Sequence, residues 1–196
     1  MKKQDIVIID YEAGNIQSVK YAFERLGVTP IVSKDEKVIL NADKVIFPGV
    51  GEASWAMNSL RKSGLDKLIP DLKQPVLGIC LGMQLMCESS EEGETSSLGI
   101  FPVQVKRFTN ERKVPHMGWN QLTDLSGELC KGITSDQSVY FVHSYYVPII
   151  EATAAQCEYI LPFSAALQKD NFYACQFHPE KSGDVGVRII ENFINL

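Results

Sequence analysis

Short β-branched runs alternate with helical periodicity through the first half of the chain, and nothing else in the sequence restricts its fold as strongly. Ile6-Val7-Ile8-Ile9 reads as a buried strand, followed by a helix with Ile16, Val19, Phe23 and Leu26 on one face. Thr29 to Ser33 reads as a second strand, and Lys44-Val45-Ile46-Phe47 as a third that ends at Pro48-Gly49. A helix around Glu52 to Leu60 precedes the run Val76-Leu77-Gly78-Ile79, and another helix is expected from Cys80. Continuous apolar strands alternating with helices predict an α/β fold, with a central, mostly parallel twisted sheet flanked by helices.

Beyond about residue 98 the pattern changes. Val103 to Lys106, Val139 to Val142, Ala152 to Cys157 and Phe172 to Phe177 are strand-like, with Gly, Pro and Asn-rich turns between them, so additional antiparallel strands are expected. Val187 to Ile194 reads as a closing amphipathic helix, and the acidic, Ser-rich stretch Glu88 to Ser97 as a surface loop. With no linker, repeat or low-complexity tract, residues 1–196 read as a single domain.

Composition narrows the function. The chain is 45% hydrophobic with a formal charge of -5, and its Lys and Arg form no basic run. Nucleic acid and anionic membranes are therefore not expected as main partners. No apolar stretch is long enough to span a bilayer, and the short run after the N-terminus does not make a signal-peptide core. Five cysteines, an odd number without a CxxC pair, argue against a disulfide framework or a zinc site. The cytoplasm, where a thiol stays reduced, is the expected compartment.

One of those cysteines sits where a buried strand meets a helix, in Gly78-Ile79-Cys80-Leu81-Gly82. A nucleophile on such a turn needs small neighbours, because its backbone is strained, and a helix starting there favours the thiolate. Read alone, the pentapeptide fits a buried structural cysteine between helix-packing glycines equally well. A base is found among only three histidines: His178, in Phe177-His178-Pro179-Glu180 at a strand end. Strand alternation would send His178 and Glu180 to the same side, so that a carboxylate orients an imidazole that takes the thiol proton. Pro48-Gly49-Val50-Gly51 follows the third strand. Its glycines would let backbone N–H groups face a developing oxyanion, with the Leu81 N–H as second donor. A plain strand-to-helix turn would read the same.

In this order and on this pattern, the three motifs resemble the class I, triad-type glutamine amidotransferases. Gly78 to Gln84 closely matches the nucleophile motif of that class, and Gln176 to Glu180 its His-Pro-Glu motif. Asp10 to Asn15, Pro115 to Asn120 and Tyr140 to Tyr145 narrow the resemblance to a branch of glutaminase subunits that serve a separate (βα)8-barrel cyclase in histidine synthesis. Glu12-Ala13 departs from the pattern, since relatives usually carry a glycine first. The resemblance implies a flavodoxin-like fold and hydrolysis of L-glutamine through a thioester on Cys80, with His178 shuttling the proton and Glu180 orienting it. It further implies Gly49, Val50, Gly51 and Leu81 at the oxyanion, and Gln84, Glu92, Ser144 and Tyr145 around the substrate. Asn15, Met117, Trp119, Tyr140 and Lys181 would face the cyclase, in a heterodimer. For Met117 and Trp119, the alternative is ordinary core packing. His116 and His143 read as structural or interface residues rather than bases. No metal or organic cofactor is implied. A related branch, which feeds a sugar amidotransferase in surface-polysaccharide synthesis, would keep the same catalytic residues.

Overall fold

In a computed structural model, which describes residues 4–12 and 15–196, every apolar run of the first half forms a strand of one sheet. The first elements are β1 (Ile6–Ile9), α1 (Ile16–Glu24), β2 (Ile31–Ser33), α2 (Glu36–Leu40), β3 (Lys44–Gly49), α3 (Ala53–Ser63) and α4 (Leu65–Asp71). Next come β4 (Val76–Cys80), α5 (Leu81–Met86), β5 (Cys87–Ser90), β6 (Thr95–Ser96), β7 (Phe101–Arg107), β8 (His116–Gln121) and β9 (Ser138–His143). The chain closes with β10 (Tyr145–Tyr146), β11 (Thr153–Glu158), β12 (Pro162–Lys169), β13 (Phe172–Cys175) and α6 (Gly183–Ile194). Ala13 and Gly14 of the N-terminal motif, like Met1 to Lys3, lie outside the described residues.

The main sheet has seven strands in the order β11-β12-β13-β4-β3-β1-β2. From β2 to β13 all neighbours are parallel, while β12 and β11 add on antiparallel. Side chains alternate between two cores. Ile6 and Ile8 of β1 pack with Val19, Phe23, Ile189 and Phe193 on one face, whereas Val7 and Ile9 pack with Met57, Leu60 and Ile69 on the other. A strand covered on both faces has no solvent side for polar residues, which is why these runs are continuous rather than alternating.

Three sequence readings need correction. Glu88 to Ser97 is not a simple surface loop: it holds the end of β5, a 3-10 turn at Glu92–Glu94 and β6. Two of its hydroxyls serve its own backbone. The Ser90 hydroxyl accepts the Glu92 N–H at 3.1 Å, and the Thr95 hydroxyl donates to the Glu92 carbonyl at 2.7 Å. Strands β8 and β12 carry no strand pattern that the sequence declares. In β8 the usual polarity is inverted, with His116 buried and Met117 and Trp119 63% and 59% exposed. That removes core packing as the explanation of Met117 and Trp119. Helices α2 and α4 also escaped the reading, being too short for a 3.6-residue period to declare itself.

Candidate active site

Parallel strands bring their carboxyl ends to one edge of a sheet, where open α/β folds place their ligands. Three neighbours meet there. Gly49 of β3 pairs with Cys80 of β4, and Ile79 of β4 with Cys175 of β13. The residues that follow, Val50, Leu81 and Gln176, are therefore delivered to one place by register alone.

Cys80 occupies φ 53°, ψ -106°, a left-handed conformation that side chains with a Cβ avoid. Close packing of α5 holds it there. A Cβ on Gly82 would be driven into the Phe47 carbonyl oxygen of β3, and one on Gly78 would come within 2.9 Å of Met86 Sδ. Helix α5 has only six residues, however, so its dipole is a small source of thiolate stabilisation.

His178 and Glu180 meet by a different route from the expected one. Strand β13 stops at Cys175, and His178 precedes a 3-10 turn at Pro179–Lys181. The turn, not strand alternation, brings Glu180 Oε1 to 2.8 Å from His178 Nδ1. Its position is fixed from several sides. The His178 N–H donates to the Tyr140 carbonyl at 2.9 Å, and the Ser182 hydroxyl donates to the His178 carbonyl at 2.7 Å. A Cβ on Gly186 of α6 would strike the Pro179 carbonyl oxygen, so that helix also approaches to backbone contact. The same carboxylate oxygen has a second neighbour: Asn15 Nδ2 donates to Glu180 Oε1 at 2.5 Å. His178 Nε2 is buried and hydrogen-bonds to no protein atom. Burial would lower the pKa of this imidazole, but the adjacent Cys80 sulfur and Glu180 carboxylate outweigh it and raise it to about 10.

A cavity of about 320 Å³ opens over Cys80 and His178. Val50, Gly51, Leu81, Gln84, Glu92, Ser144 and Tyr145 line it, joined by Pro115, Val142 and His143, which the sequence reading did not place there. Gly49 lies behind the wall. A Cβ there would run into the Tyr11 hydroxyl, which donates to the Pro48 carbonyl at 2.8 Å. Burial, with Cys80 nearby, pushes the Tyr11 phenol pKa up, so it stays a donor and holds this strand end. Glu92 is not a freely solvated acid. Its Oε2 caps α3 by accepting the Ala53 N–H at 2.9 Å, and burial raises its pKa, helped by the nearby Glu52. Gln84 Nε2 donates to the Tyr145 carbonyl at 3.1 Å and to Gln176 Oε1 at 2.9 Å. What Gln84 has left to offer the cavity is a carbonyl oxygen. Gln176 in turn donates to Cys80 Sγ at 3.7 Å. The sequence quotes Gln176 within its motif, but only strand register reveals that it adjoins the thiol.

His116 and His143 form a buried pair, Nδ1 to Nε2 at 3.0 Å, with His143 Nδ1 facing the Tyr145 carbonyl at 2.7 Å. His116 is stacked between Tyr159 and Phe141. Burial pushes their pKa values down to about 4 for His116 and about 3 for His143. Isotope-labelled histidines followed by NMR should thus titrate far apart: His178 stays protonated well above neutral, and the other two stay neutral to about pH 4. All three titrating together near 6.5 would contradict this geometry. Below 6.5 the unfolded chain binds protons that folded His116 refuses, so stability falls as pH drops, by roughly 3 kcal/mol on reaching pH 4. His178 works in the opposite sense. Its contribution is present below 6.5 and is lost as pH rises towards 10.

The remaining sequence candidates adjoin the same turn. Trp119 pairs with Tyr140 across β8 and β9, their rings 6.0 Å apart edge to face. Met117 pairs with Val142, whose carbonyl lies 3.9 Å from Cys80 Sγ. Lys181 is exposed, and its N–H donates to the His178 carbonyl at 3.0 Å. Among the described residues no group of three or more His, Cys, Asp or Glu is placed to hold a metal ion.

Known proteins match this arrangement along nearly the whole chain. The family model for glutamine amidotransferase class-I covers residues 7–196. The imidazole glycerol phosphate synthase subunit HisH of Bacteroides fragilis is 61% identical over 97% of this chain and 99% of its own length. That of Yersinia pseudotuberculosis is 49% identical over 98% and 100%. A crystal structure of a glutamine amidotransferase, 19% identical, superposes with a TM-score of 0.74 over 96% of this chain and 97% of that one, which speaks for the fold. The chain belongs to the class-I glutamine amidotransferase family, in its imidazole glycerol phosphate synthase HisH branch.

Proposed function

We propose that this chain is the glutaminase half of a two-subunit imidazole glycerol phosphate synthase. It hydrolyses L-glutamine at Cys80 and passes the ammonia to a (βα)8-barrel cyclase in histidine biosynthesis. The observation that carries this reading is the strained Cys80 beside a buried His178–Glu180 pair, at the floor of a cavity of amino-acid size. His178 Nε2 takes the Cys80 thiol proton, the sulfur attacks the side-chain amide carbon, and the carbonyl electron pair moves onto oxygen, towards the Val50 and Leu81 N–H groups. As the pair returns, the carbon–nitrogen bond breaks and His178 Nε2 protonates the leaving ammonia. Water then attacks the thioester, gives its proton to His178, and the electron pair of the broken carbon–sulfur bond returns to Cys80. The Gln84 carbonyl oxygen and the Glu92 carboxylate suit the ammonium of the substrate's α-amino group, with Ser144 and Tyr145 closing the cavity wall.

The exposed Met117 and Trp119, with Tyr140, Asn15 and Lys181 around the catalytic turn, suit a partner-facing surface. A subunit seated there presses on the backbone that holds His178 through the Tyr140 carbonyl and on the Asn15 bond to Glu180. That supports a glutaminase whose active geometry is favoured by its partner, a population shift. High identity to HisH subunits favours the histidine pathway over the surface-polysaccharide branch. No helix among the described residues is long and apolar enough to cross a membrane, and the free cysteines suit the cytoplasm. The test is glutamate release by the isolated chain, then with the cyclase, then with the cyclase and its nucleotide. Stimulation of about ten- to a hundredfold is expected, with a thioester on Cys80 trapped by acid quench and seen by mass spectrometry. Equal turnover in all three would remove the coupling, and a thioester-free Cys80 would remove the nucleophile.

A further inference from the structure

We propose that Gln176 is a further catalytic residue of this glutaminase, donating a hydrogen bond from its side-chain amide to the Cys80 sulfur and so stabilising the attacking thiolate. The proposal rests on Cys80 being the nucleophile.

Strand register puts Gln176 there. The parallel pair β4 and β13 runs to Ile79 opposite Cys175, so the next residue on each strand, Cys80 and Gln176, emerges side by side. The Gln176 N–H is anchored to the Ala165 carbonyl of β12 at 2.8 Å. Its side chain is 0% exposed, a costly place for an amide unless hydrogen bonds repay it. A residue needed only to fill this space would be apolar.

Which end of the amide faces sulfur is decided by a chain of bonds with an unambiguous start. The Tyr145 backbone carbonyl can only accept, so Gln84 must present its NH2 group there, at 3.1 Å. The same NH2 group meets Gln176 at 2.9 Å and needs an acceptor, which makes the near atom of Gln176 its carbonyl oxygen. The NH2 group of Gln176 is then the end left for Cys80 Sγ, at 3.7 Å. Turning Gln84 over would set its oxygen against two acceptors, and turning Gln176 over would set donor against donor. The relay runs from Tyr145 through Gln84 and Gln176 and terminates as an N–H aimed at sulfur.

A donor in that position discriminates between charge states. Hydrogen bonds to an ionised acceptor are roughly twice as strong as neutral ones, so the amide favours thiolate over thiol. It favours the same species again when the thioester breaks and the electron pair returns to sulfur. With α5 only six residues long, fixed side-chain donors have more of this task to do. Gln84 ties the donor to the substrate cavity, since the residue that orients Gln176 also lines that cavity.

Two substitutions in the complex with the cyclase test this. Gln176→Glu keeps the shape and the acceptor oxygen for Gln84 but replaces the donor with a carboxylate oxygen. Gln176→Leu removes both bonds. Gln176→Glu is expected to lower kcat at least about tenfold with KM nearly unchanged, and to be the worse of the two in kcat. The rate of iodoacetamide alkylation of Cys80 at pH 7, read by peptide mass spectrometry, should fall about tenfold, with its pH profile displaced upward. A residue that merely positions Gln84 predicts the reverse order, with Gln176→Glu close to the parent. That order, or alkylation profiles that superimpose on the parent's, would overturn the proposal. Should Gln176→Leu fail to fold, the isosteric Gln176→Glu carries the test alone. The Cys80→Ala complex separates the two levels. Turnover surviving in it overturns the nucleophile reading, whereas a dead Cys80→Ala complex beside parent-like Gln176 variants overturns this inference only.

Discussion

Replacing Glu180 by glutamine is expected to lower glutaminase turnover about 10²- to 10⁴-fold with little change in KM for glutamine. Glu180 contacts no part of the cavity. Its side chain is buried behind His178, with Oε1 2.8 Å from Nδ1 and shared with the Asn15 amide at 2.5 Å. In the proposed mechanism the carboxylate does two things for the imidazole. It fixes the proton on Nδ1, leaving Nε2 for Cys80 and the leaving group, and its charge supports the imidazolium. A glutamine loses the charge in either orientation. If its NH2 group turns to Nδ1, the imidazole is also forced into the tautomer that cannot act as a base at Nε2. Because substrate contacts lie elsewhere, the loss belongs in kcat. In the NMR titration the His178 imidazolium of Glu180→Gln should give up its proton at a lower pH than in the parent. Turnover within tenfold of the parent, with an unmoved His178 titration, would remove Glu180 from this role.

Gly82→Ala should be the most damaging single methyl group in the site. It would cost roughly 3 kcal/mol of stability or more, and abolish glutamine turnover even where the chain still folds. The new Cβ meets the Phe47 carbonyl oxygen, which belongs to β3 backbone and has no rotamer by which to retreat. Helix α5 must lift away from the sheet, taking with it the Leu81 N–H and the backbone tension that holds Cys80 at φ 53°. Urea denaturation of the isolated chain reads the first effect, and glutamate release in the complex reads the second. A midpoint unchanged from the parent together with full activity would show that the helix can shift without consequence.

Much of this molecule is written in local pattern. Ile6 to Ile9, Lys44 to Phe47 and Val76 to Ile79 are apolar without interruption because each strand is covered on two faces, and that burial leaves a mark no other element makes. Gly78 and Gly82 around Cys80 declare a crowded turn for the same reason: contact between backbones excludes a Cβ. Local pattern fails where the interaction is with a distant segment or depends on which face has neighbours. Met117 and Trp119 have the composition of core residues, and only the pairing of β8 with β9 turns them outward. The His178 and Glu180 contact was anticipated, but from strand alternation, while a 3-10 turn makes it. The acidic stretch from Glu88 to Ser97 reads as loop because the Ser90 and Thr95 hydroxyls bond to its own backbone and the Glu91 and Glu92 carboxylates accept backbone N–H groups of β7 and α3, a use of polarity that composition cannot tell from exposure.

By itself, then, the sequence determined the layered α/β architecture and which residue types stand at the strand ends, since burial on two faces and crowding at a turn both act between near neighbours in the chain. Tertiary structure alone decided what those ends face. Gln176 and Cys80 are 96 positions apart, as are no two residues that a periodicity could relate, and they touch because two parallel strands share a register. Asn15, at the start of α1, reaches Glu180 in the 3-10 turn across 165 positions. The proposed catalytic geometry is assembled from such long-range pairs, between elements that the local pattern names but does not align.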